Sequence, residues 1–114
     1  MGELPVIAKT YDLLKYLIPQ LAKYPKDQRY LLGQRLEDQA LNLLEDFIEA
    51  QYAREKSEIL KRANLRLVKV RYLLRLSKDM NFLPVNRYEH VCKMVEEIGA
   101  MTGGWLKQKQ QGQT

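Results

Sequence analysis

The chain has 114 residues, of which 46% are hydrophobic and 29% are charged, and its formal net charge at neutral pH is +5. A chain of this length forms one domain, and none of its apolar runs approaches the roughly 18 residues that a membrane span needs. The first residues carry neither the basic region of a signal peptide nor a myristoylation pattern, so we expect a cytoplasmic protein that does not bind membranes.

The first predicted helix runs from about Leu4 to Lys23. Its apolar residues are spaced three or four positions apart, which is typical of a helix that buries one face. They are Leu4, Ile7, Tyr11, Leu14, Ile18 and Leu21. Pro19 lacks a backbone donor and predicts a kink inside the helix, whereas Tyr24 and Pro25 predict the end of the element.

The second predicted helix runs from about Lys26 to Ala53 and has two adjacent apolar stripes, which predict a broad buried face. The main stripe contains Leu36, Ala40, Leu43, Phe47 and Ala50, and the second contains Leu41, Leu44 and Ile48. The acids on the opposite side, which should be solvated, are Asp38, Glu45 and Glu49. No glycine or proline separates this helix from the third one. A turn at residues 54–57 is predicted from length alone, because an unbroken helix from Lys26 to Met80 would be about 80 Å long.

The third predicted helix, from Lys56 to Met80, carries most of the charge asymmetry. Eight basic and two acidic residues give this segment a local charge of +6, while the charges of the other segments nearly cancel. One apolar stripe should face the core, and a second lies roughly opposite. The first stripe, the inner seam, contains Leu60, Ala63, Leu67, Val70 and Leu74, and the second, the outer seam, contains Leu65, Val68, Tyr72 and Leu76. A bundle buries only one side of each helix, so the outer seam predicts a homo-oligomer interface.

Basic residues fill the two flanks between these seams. One flank has Arg62, Arg66 and Lys69, the other has Arg71, Arg75 and Lys78, and Lys61 lies near the edge of the outer seam. Because acids are nearly absent from this helix, we predict that these seven residues bind a nucleic acid or another partner. Two other interpretations stay open: the flanks are ordinary solvated faces, or acids of the second helix such as Glu45 and Glu49 neutralise them.

The fourth predicted helix follows Pro84 and repeats the spacing of the first. Its apolar stripe contains Tyr88, Val91, Val95, Ile98, Thr102 and Trp105. The same helix contains three glycines, Gly99, Gly103 and Gly104. Glycine weakens a helix, so we expect these residues either to allow a close backbone approach or to fray the helix end.

The four helices are joined by short connections, and the sequence has no strand signal. We therefore predict an all-α fold, an up-and-down antiparallel four-helix bundle that forms one domain over residues 1–109, with a disordered tail over residues 110–114. Cys92 is the only cysteine, and His90 points elsewhere on the predicted helix, so they form neither a zinc site nor a nucleophile and base pair. With no phosphate-binding glycine loop either, we expect a non-enzymatic protein without cofactor, metal or small-molecule substrate.

Several short segments distributed over nearly the whole chain carry a family resemblance. They are Leu4 to Lys15, Pro25-Lys26-Asp27 with Leu32-Gly33 after it, Arg87-Tyr88-Glu89, Glu97-Ile98-Gly99 and Gly103-Gly104-Trp105-Leu106-Lys107. Together they are similar to the accessory variability determinant (Avd) proteins of diversity-generating retroelements. These proteins fall within the broader four-helix-bundle family encoded in intervening sequences of bacterial 23S ribosomal RNA genes, and the Gly-Gly-Trp ending favours the retroelement branch.

The resemblance implies a basic, barrel-shaped homopentamer without enzymatic activity. It also implies that the protein binds RNA or DNA and the reverse transcriptase of the retroelement, and that it supports mutagenic cDNA synthesis and retrohoming into a variable gene. One alternative is a protein-interaction scaffold in which the third helix binds an acidic protein. Another is a stand-alone intervening-sequence protein without a retroelement. The predicted site residues come from the helix pattern and not from the family.

Overall fold

The computed structural model describes residues 3–111, and within that range the chain is helical and contains no strand. Helix α1 spans Pro5–Leu21, α2 Lys26–Arg29, α3 Leu32–Tyr52, α4 Ser57–Asp79 and α5 Val85–Gln111. The four long helices correspond to the four predicted ones, so the all-α prediction is confirmed. Within the same range, no helix is long and apolar enough to cross a membrane.

Each long helix of the bundle packs against two neighbours. Helix α4 lies between α3 and α5, and α1 lies between the same two helices on the other side. Helices α1 and α4 are therefore diagonal to each other in a bundle that measures 49 × 22 × 22 Å. Lys9 Nζ lies 2.6 Å from Glu97 Oε2 and joins α1 to α5, and its hydrogen bond lowers the pKa of the Glu97 carboxyl group.

The predicted second helix is divided into two, so the prediction of one helix from Lys26 is wrong at this point. Leu31, which follows α2 and Tyr30, has φ −112° and ψ −91°, which are not helical values, and α3 starts at the next residue. Gly33 is buried at this bend, where a β-carbon would lie 3.3 Å from the carbonyl oxygen of Gln28. The glycine therefore allows α2 to pack tightly against the start of α3.

The turn between α3 and α4 is stabilised by a lysine. The Lys56 ammonium group donates hydrogen bonds to the backbone carbonyl oxygens of Ala50, Gln51 and Ala53, at 2.6, 3.3 and 2.7 Å. Carbonyls at a helix C-terminus lack partners within the helix, and a positive charge is favourable there. Lys56 therefore stabilises the C-terminal end of α3, at a place where the sequence has no glycine or proline.

The core is formed by one face of each long helix. Its largest fully buried side chains include Leu13, Leu17, Leu36, Leu43, Phe47 and Ile98. On α3 the main predicted stripe is buried, whereas Leu41 and Ile48 of the second stripe are exposed, so the buried face is narrower than predicted. On α1, Tyr11 and Ile18 are exposed because the buried face is centred on Leu17 instead. In both helices the spacing pattern located the buried side correctly. It overestimated the width of the buried face on α3 and misplaced the centre of that face on α1.

Helix α5 is longer than predicted. It continues through its three glycines to Gln111, so the glycines do not fray its end, and residues 110 and 111 of the predicted tail are helical. The rest of that predicted segment, residues 112–114, lies outside the described residues. The buried Thr102 hydroxyl donates a hydrogen bond to the carbonyl oxygen of Ile98 at 2.7 Å, which satisfies it within the helix.

Candidate nucleic-acid interface

Core packing determines the orientation of α4 in the bundle. All residues of the inner seam are at most 1% exposed, which confirms that prediction. Because α4 packs between α3 and α5, one basic flank faces each neighbour, and the outer seam faces away from the bundle. The α3 flank contains Arg62, Arg66 and Lys69, and the α5 flank contains Arg71, Arg75 and Lys78.

Two arginines of the α3 flank are paired with a buried carboxylate of α3. Arg62 Nη2 lies 2.9 Å from Asp46 Oδ1, and Arg66 Nε lies 2.7 Å from Asp46 Oδ2. Arg62 also contacts Glu49 at 3.1 Å, and Arg66 donates to Gln39 Oε1 at 3.3 Å. The hydrogen bond with Asp46 raises the pKa of the Arg62 guanidinium. For these two residues, the open interpretation of neutralisation by acids of the second predicted helix is therefore the one observed.

The remaining cation of the α3 flank, Lys69, is exposed and forms no ion pair with any residue in the range 3–111. It lines a cleft of about 770 Å³ between α3 and α4, together with Tyr30, Arg35 and Tyr72. Lys61 lies at the edge of the outer seam, 3.5 Å from Glu58 on the same helix. A pair this exposed has little energetic value, so the Lys61 charge is still available.

The α5 flank has the most available positive charge. Arg71 and Arg75 are exposed, and in the described part of the chain neither has a carboxylate within 4.0 Å. Lys78 is half-buried, with its ammonium group 3.4 Å from Asp79 Oδ1 and 4.9 Å from the centre of the Tyr88 ring. This cation–π contact holds the lysine against α5. The flank therefore presents two guanidinium groups that form no ion pair with a carboxylate of residues 3–111.

Arg71 also lines a groove of about 390 Å³ between α4 and α5. The groove is lined by Arg71, Tyr88, Glu89, Cys92, Lys93 and Glu96. Arg71 Nη2 lies 2.7 Å from the position that a β-carbon would take at Gly99, so the guanidinium rests against the backbone of α5. The groove thus contains one cation from each helix together with two carboxylates of α5, and Gly99 leaves room for the Arg71 guanidinium beside it.

Of the two reactive side chains singled out in the sequence, Cys92 is half-buried and His90 is exposed. Burial raises the pKa of the Cys92 thiol, so it is protonated at neutral pH and is a poor nucleophile. The ring of His90 lies 4.4 Å from that of Tyr16, measured between centroids, and joins α5 to α1. Both residues have packing roles in this arrangement.

The outer seam is solvent-exposed in the single chain. Its residues Leu65, Val68, Tyr72 and Leu76 are 54%, 41%, 66% and 48% exposed. Met80 continues the same patch at the end of α4 and is also exposed. A row of apolar side chains on one helix face is typical of an interaction surface. The homo-oligomer interface assigned to these residues stays a prediction.

Two contacts that shape this surface were not predicted from the sequence. Asp46 lies three residues after Leu43 and four before Ala50, and this spacing at the edge of the buried stripe was the available signal for its burial. For Gly99, a close backbone approach was one of two expected roles, but the group that approaches it is the side chain of Arg71. No sequence pattern identifies that partner, because it depends on the alignment of α4 with α5.

Fold and surface together define a small helical-bundle protein whose positive charge is concentrated on one helix. In the described residues, no group of three or more His, Cys, Asp and Glu side chains is arranged to hold a metal ion. Residues 5–109 match the family model described as bAvd-like. The chain therefore belongs to the bAvd-like family and is an Avd-type accessory protein, which confirms the resemblance found in its sequence. No curated protein matches the chain.

Proposed function

We propose that this protein is a nucleic-acid-binding accessory subunit of a diversity-generating retroelement. In this role it binds RNA or DNA and the reverse transcriptase, and it supports mutagenic cDNA synthesis and retrohoming without catalysing a reaction itself. Membership of the bAvd-like family supports the accessory role. The local charge of α4 supports the choice of a polyanion as one of its ligands.

The nucleic-acid assignment rests on the unequal pairing of the two flanks of α4. On the α3 flank, a phosphate would compete with the Asp46 carboxylate, which already lies 2.9 Å from Arg62 and 2.7 Å from Arg66. On the α5 flank, Arg71 and Arg75 have no such competitor among the described residues. We therefore assign the phosphate contacts to the α5 flank. Such contacts carry little sequence information, so specificity comes from RNA shape or from the reverse transcriptase.

Self-assembly of the chain into a ring, a pentamer as the family resemblance implies, is the second part of the proposal. The exposed outer seam supports it, because an isolated chain would leave four adjacent apolar side chains in water. In a cyclic assembly the α5 flank recurs once per protomer, and the repeated positive charge adds to a field that attracts nucleic acid. Lys61 and Lys69, which are exposed on either side of the outer seam, contribute to the same field.

The test replaces the two available arginines with acids. Arg71→Glu combined with Arg75→Glu should weaken binding to a labelled RNA hairpin and make the salt dependence shallower by about two units of slope, because each phosphate contact contributes about one. Both side chains are exposed, so the helical circular dichroism spectrum should be unchanged. Fluorescence anisotropy at several salt concentrations measures the affinity and the slope.

Lys15→Glu combined with Lys23→Glu is the charge-matched control. Both lysines are exposed. Lys15 lies on α1, the helix diagonal to α4, and Lys23 lies two residues after its end. The control should lose less affinity than the α5-flank variant and keep the wild-type slope. Equal losses would show that only net charge matters, and the α5-flank assignment would then be wrong. A wild-type protein that binds no RNA or DNA at low salt would favour the protein-interaction scaffold instead.

A further inference from the structure

Arg71 and Gly99 face each other across the contact between α4 and α5. Arg71 Nη2 lies 2.7 Å, and Arg71 Cζ 4.0 Å, from the position that a β-carbon would occupy at residue 99. The shorter separation is well inside the roughly 3.5 Å at which two non-bonded heavy atoms make favourable contact. The guanidinium can therefore occupy this place only because residue 99 has no side chain.

Helix α5 does not need a glycine at this position for its own geometry. The helix continues through Gly99, and the glycine does not have a positive φ. Alanine is more favourable than glycine inside a helix. Apart from the two chain neighbours of Gly99 and the nearby backbone of α5, the only atoms of the described residues within 4 Å of an added methyl group belong to Arg71. The space beside Gly99 is thus occupied by one side chain of the neighbouring helix, that of Arg71.

Arg71 lies beside the backbone of α5 at Gly99 as an exposed side chain, without a salt bridge to any described residue. Although Glu96 lines the same groove, no carboxylate in the range 3–111 lies within 4.0 Å of Arg71, and no hydrogen bond of its side chain is formed there. A guanidinium group carries five N–H donors, which match the oxygen atoms of a phosphate. Because residue 99 has no side chain, this position beside α5 stays open to the guanidinium with its donors unengaged, and a phosphate that binds it there does not have to displace another group.

We propose that Gly99 is a positioning residue that holds Arg71 in place for a phosphate of the bound nucleic acid. The proposal rests on the proposed function. It adds an uncharged residue of the neighbouring helix, α5, to the surface that Arg71 and Arg75 of α4 form. Gly99 touches no ligand; it acts through Arg71, whose position depends on the missing side chain.

The variant Gly99→Ala tests this role. The added methyl group displaces the guanidinium, which is the far end of a flexible side chain, so the fold should be retained. Affinity for a labelled RNA hairpin should fall about two- to tenfold, the range expected when one flexible side chain must be ordered on binding. The salt slope should become shallower by up to about one, as for the loss of one phosphate contact.

Gly104→Ala is the matched control on the same helix. Gly104 is exposed, and nothing lies within 4 Å of a methyl group added there. Both variants improve helix propensity, so both should unfold at a temperature no lower than that of the wild-type protein. Only Gly99→Ala should change RNA binding.

A double-variant cycle with Arg71→Gln separates positioning from a general effect on α5. Gly99→Ala should have no further effect on RNA affinity once Arg71 is replaced. The positioning role is overturned if Gly99→Ala binds RNA like the wild type, or if it lowers affinity equally with and without Arg71. If Arg71→Gln alone changes neither affinity nor slope, the proposed phosphate contact itself is wrong. If Arg71→Gln weakens binding and Gly99→Ala does not, only the role of Gly99 fails.

Discussion

Asp46 determines how much of the positive charge of α4 reaches the surface. Its side chain is 5% exposed, and it accepts hydrogen bonds from Arg62 at 3.0 Å and Arg66 at 2.7 Å. A buried carboxylate is tolerated when charge-assisted hydrogen bonds replace its lost hydration. One acid of α3 therefore neutralises charge that the sequence of α4, taken alone, assigned to binding.

Replacing this carboxylate should destabilise the bundle. Asp46→Asn keeps the side-chain volume and removes the charge, so both guanidinium groups lose their shared anion. Arg62 and Arg66 are 44% and 23% exposed, and water partly replaces the lost contacts. We expect the free energy of unfolding to fall by about 2 kcal/mol. A lower urea midpoint at an unchanged m value measures this loss.

Glu49→Gln is the control for the same network. Glu49 contacts Arg62 at 3.1 Å, but its side chain is 58% exposed. An exposed pair contributes less than about 1 kcal/mol, so the urea midpoint should barely move. Equal shifts for Asp46→Asn and Glu49→Gln would contradict the special role of the buried acid.

At the scale of the element, each face of α4 has different contacts, and so does the residue that precedes the helix. The inner seam packs, the α3 flank joins α3, and the α5 flank and outer seam stay accessible. Lys56, immediately before Ser57–Asp79, belongs to the charged segment of the sequence but is used to end the preceding helix. Local charge in a sequence window therefore overestimates the charge that a ligand can reach.

The contribution of Lys56 can be measured with Lys56→Met. Methionine keeps most of the aliphatic stem and removes the donors to the last carbonyls of α3. We expect a loss of about 1 to 2 kcal/mol in the free energy of unfolding, because hydrogen bonds from a charged donor at a helix C-terminus are lost. Chemical denaturation followed by circular dichroism measures it.

Lys61→Met provides the comparison, since Lys61 has only an exposed pair with Glu58 at 3.5 Å in the described part of the chain. Its stability should change by less than about 0.5 kcal/mol. The C-terminal capping role of Lys56 would be refuted if both lysines could be replaced with the same small effect.

Helical periodicity predicted the elements well and the contacts between them poorly. The inner seam was predictable because apolar spacing reports which side of a helix is buried. The pairing of Arg62 with Asp46 joins residues that are 16 positions apart, and it depends on how α3 and α4 align along their axes. Spacing within one helix carries no information about that alignment. The pattern therefore located the inner seam, but which flank is neutralised was not predictable, and the binding role of the seven candidate residues stays a prediction.

The break at Leu31 was missed for a related reason. Residues 26–53 contain no proline after the start and only one glycine, so local propensity favours a continuous helix. The burial of Gly33 against Gln28 is a tertiary contact that outweighs this propensity. The sequence therefore predicted the number of long helices but not the short one.

At the scale of the whole molecule, the outer seam should control assembly. Wild-type protein at micromolar concentration should have a light-scattering mass several times the 13.4 kDa of one chain, and five times if the ring is a pentamer. Leu65→Glu combined with Val68→Glu should give a folded monomer, because two carboxylates would be buried without partners in the interface.

Tyr11→Glu combined with Ile18→Glu tests whether any exposed apolar pair has this effect. These residues are exposed on α1, diagonal to α4. The variant should keep the wild-type mass. A wild-type protein that is monomeric at micromolar concentration would contradict the interface assigned to the outer seam.

The length of the α5 flank limits what one chain can do alone. From Arg71 to Lys78 the three cations span only about 10 Å along the helix axis at 1.5 Å per residue. They can neutralise about three phosphates, which corresponds to a salt slope of about −3 on duplex DNA. If the proposed phosphate contacts are correct, one chain alone should bind nucleic acid weakly, and tight binding should require several flanks held at fixed spacing on one molecule. The proposed function therefore predicts that affinity for nucleic acid depends on the assembly, and that a change in the number of joined chains should change it even when every basic residue is intact.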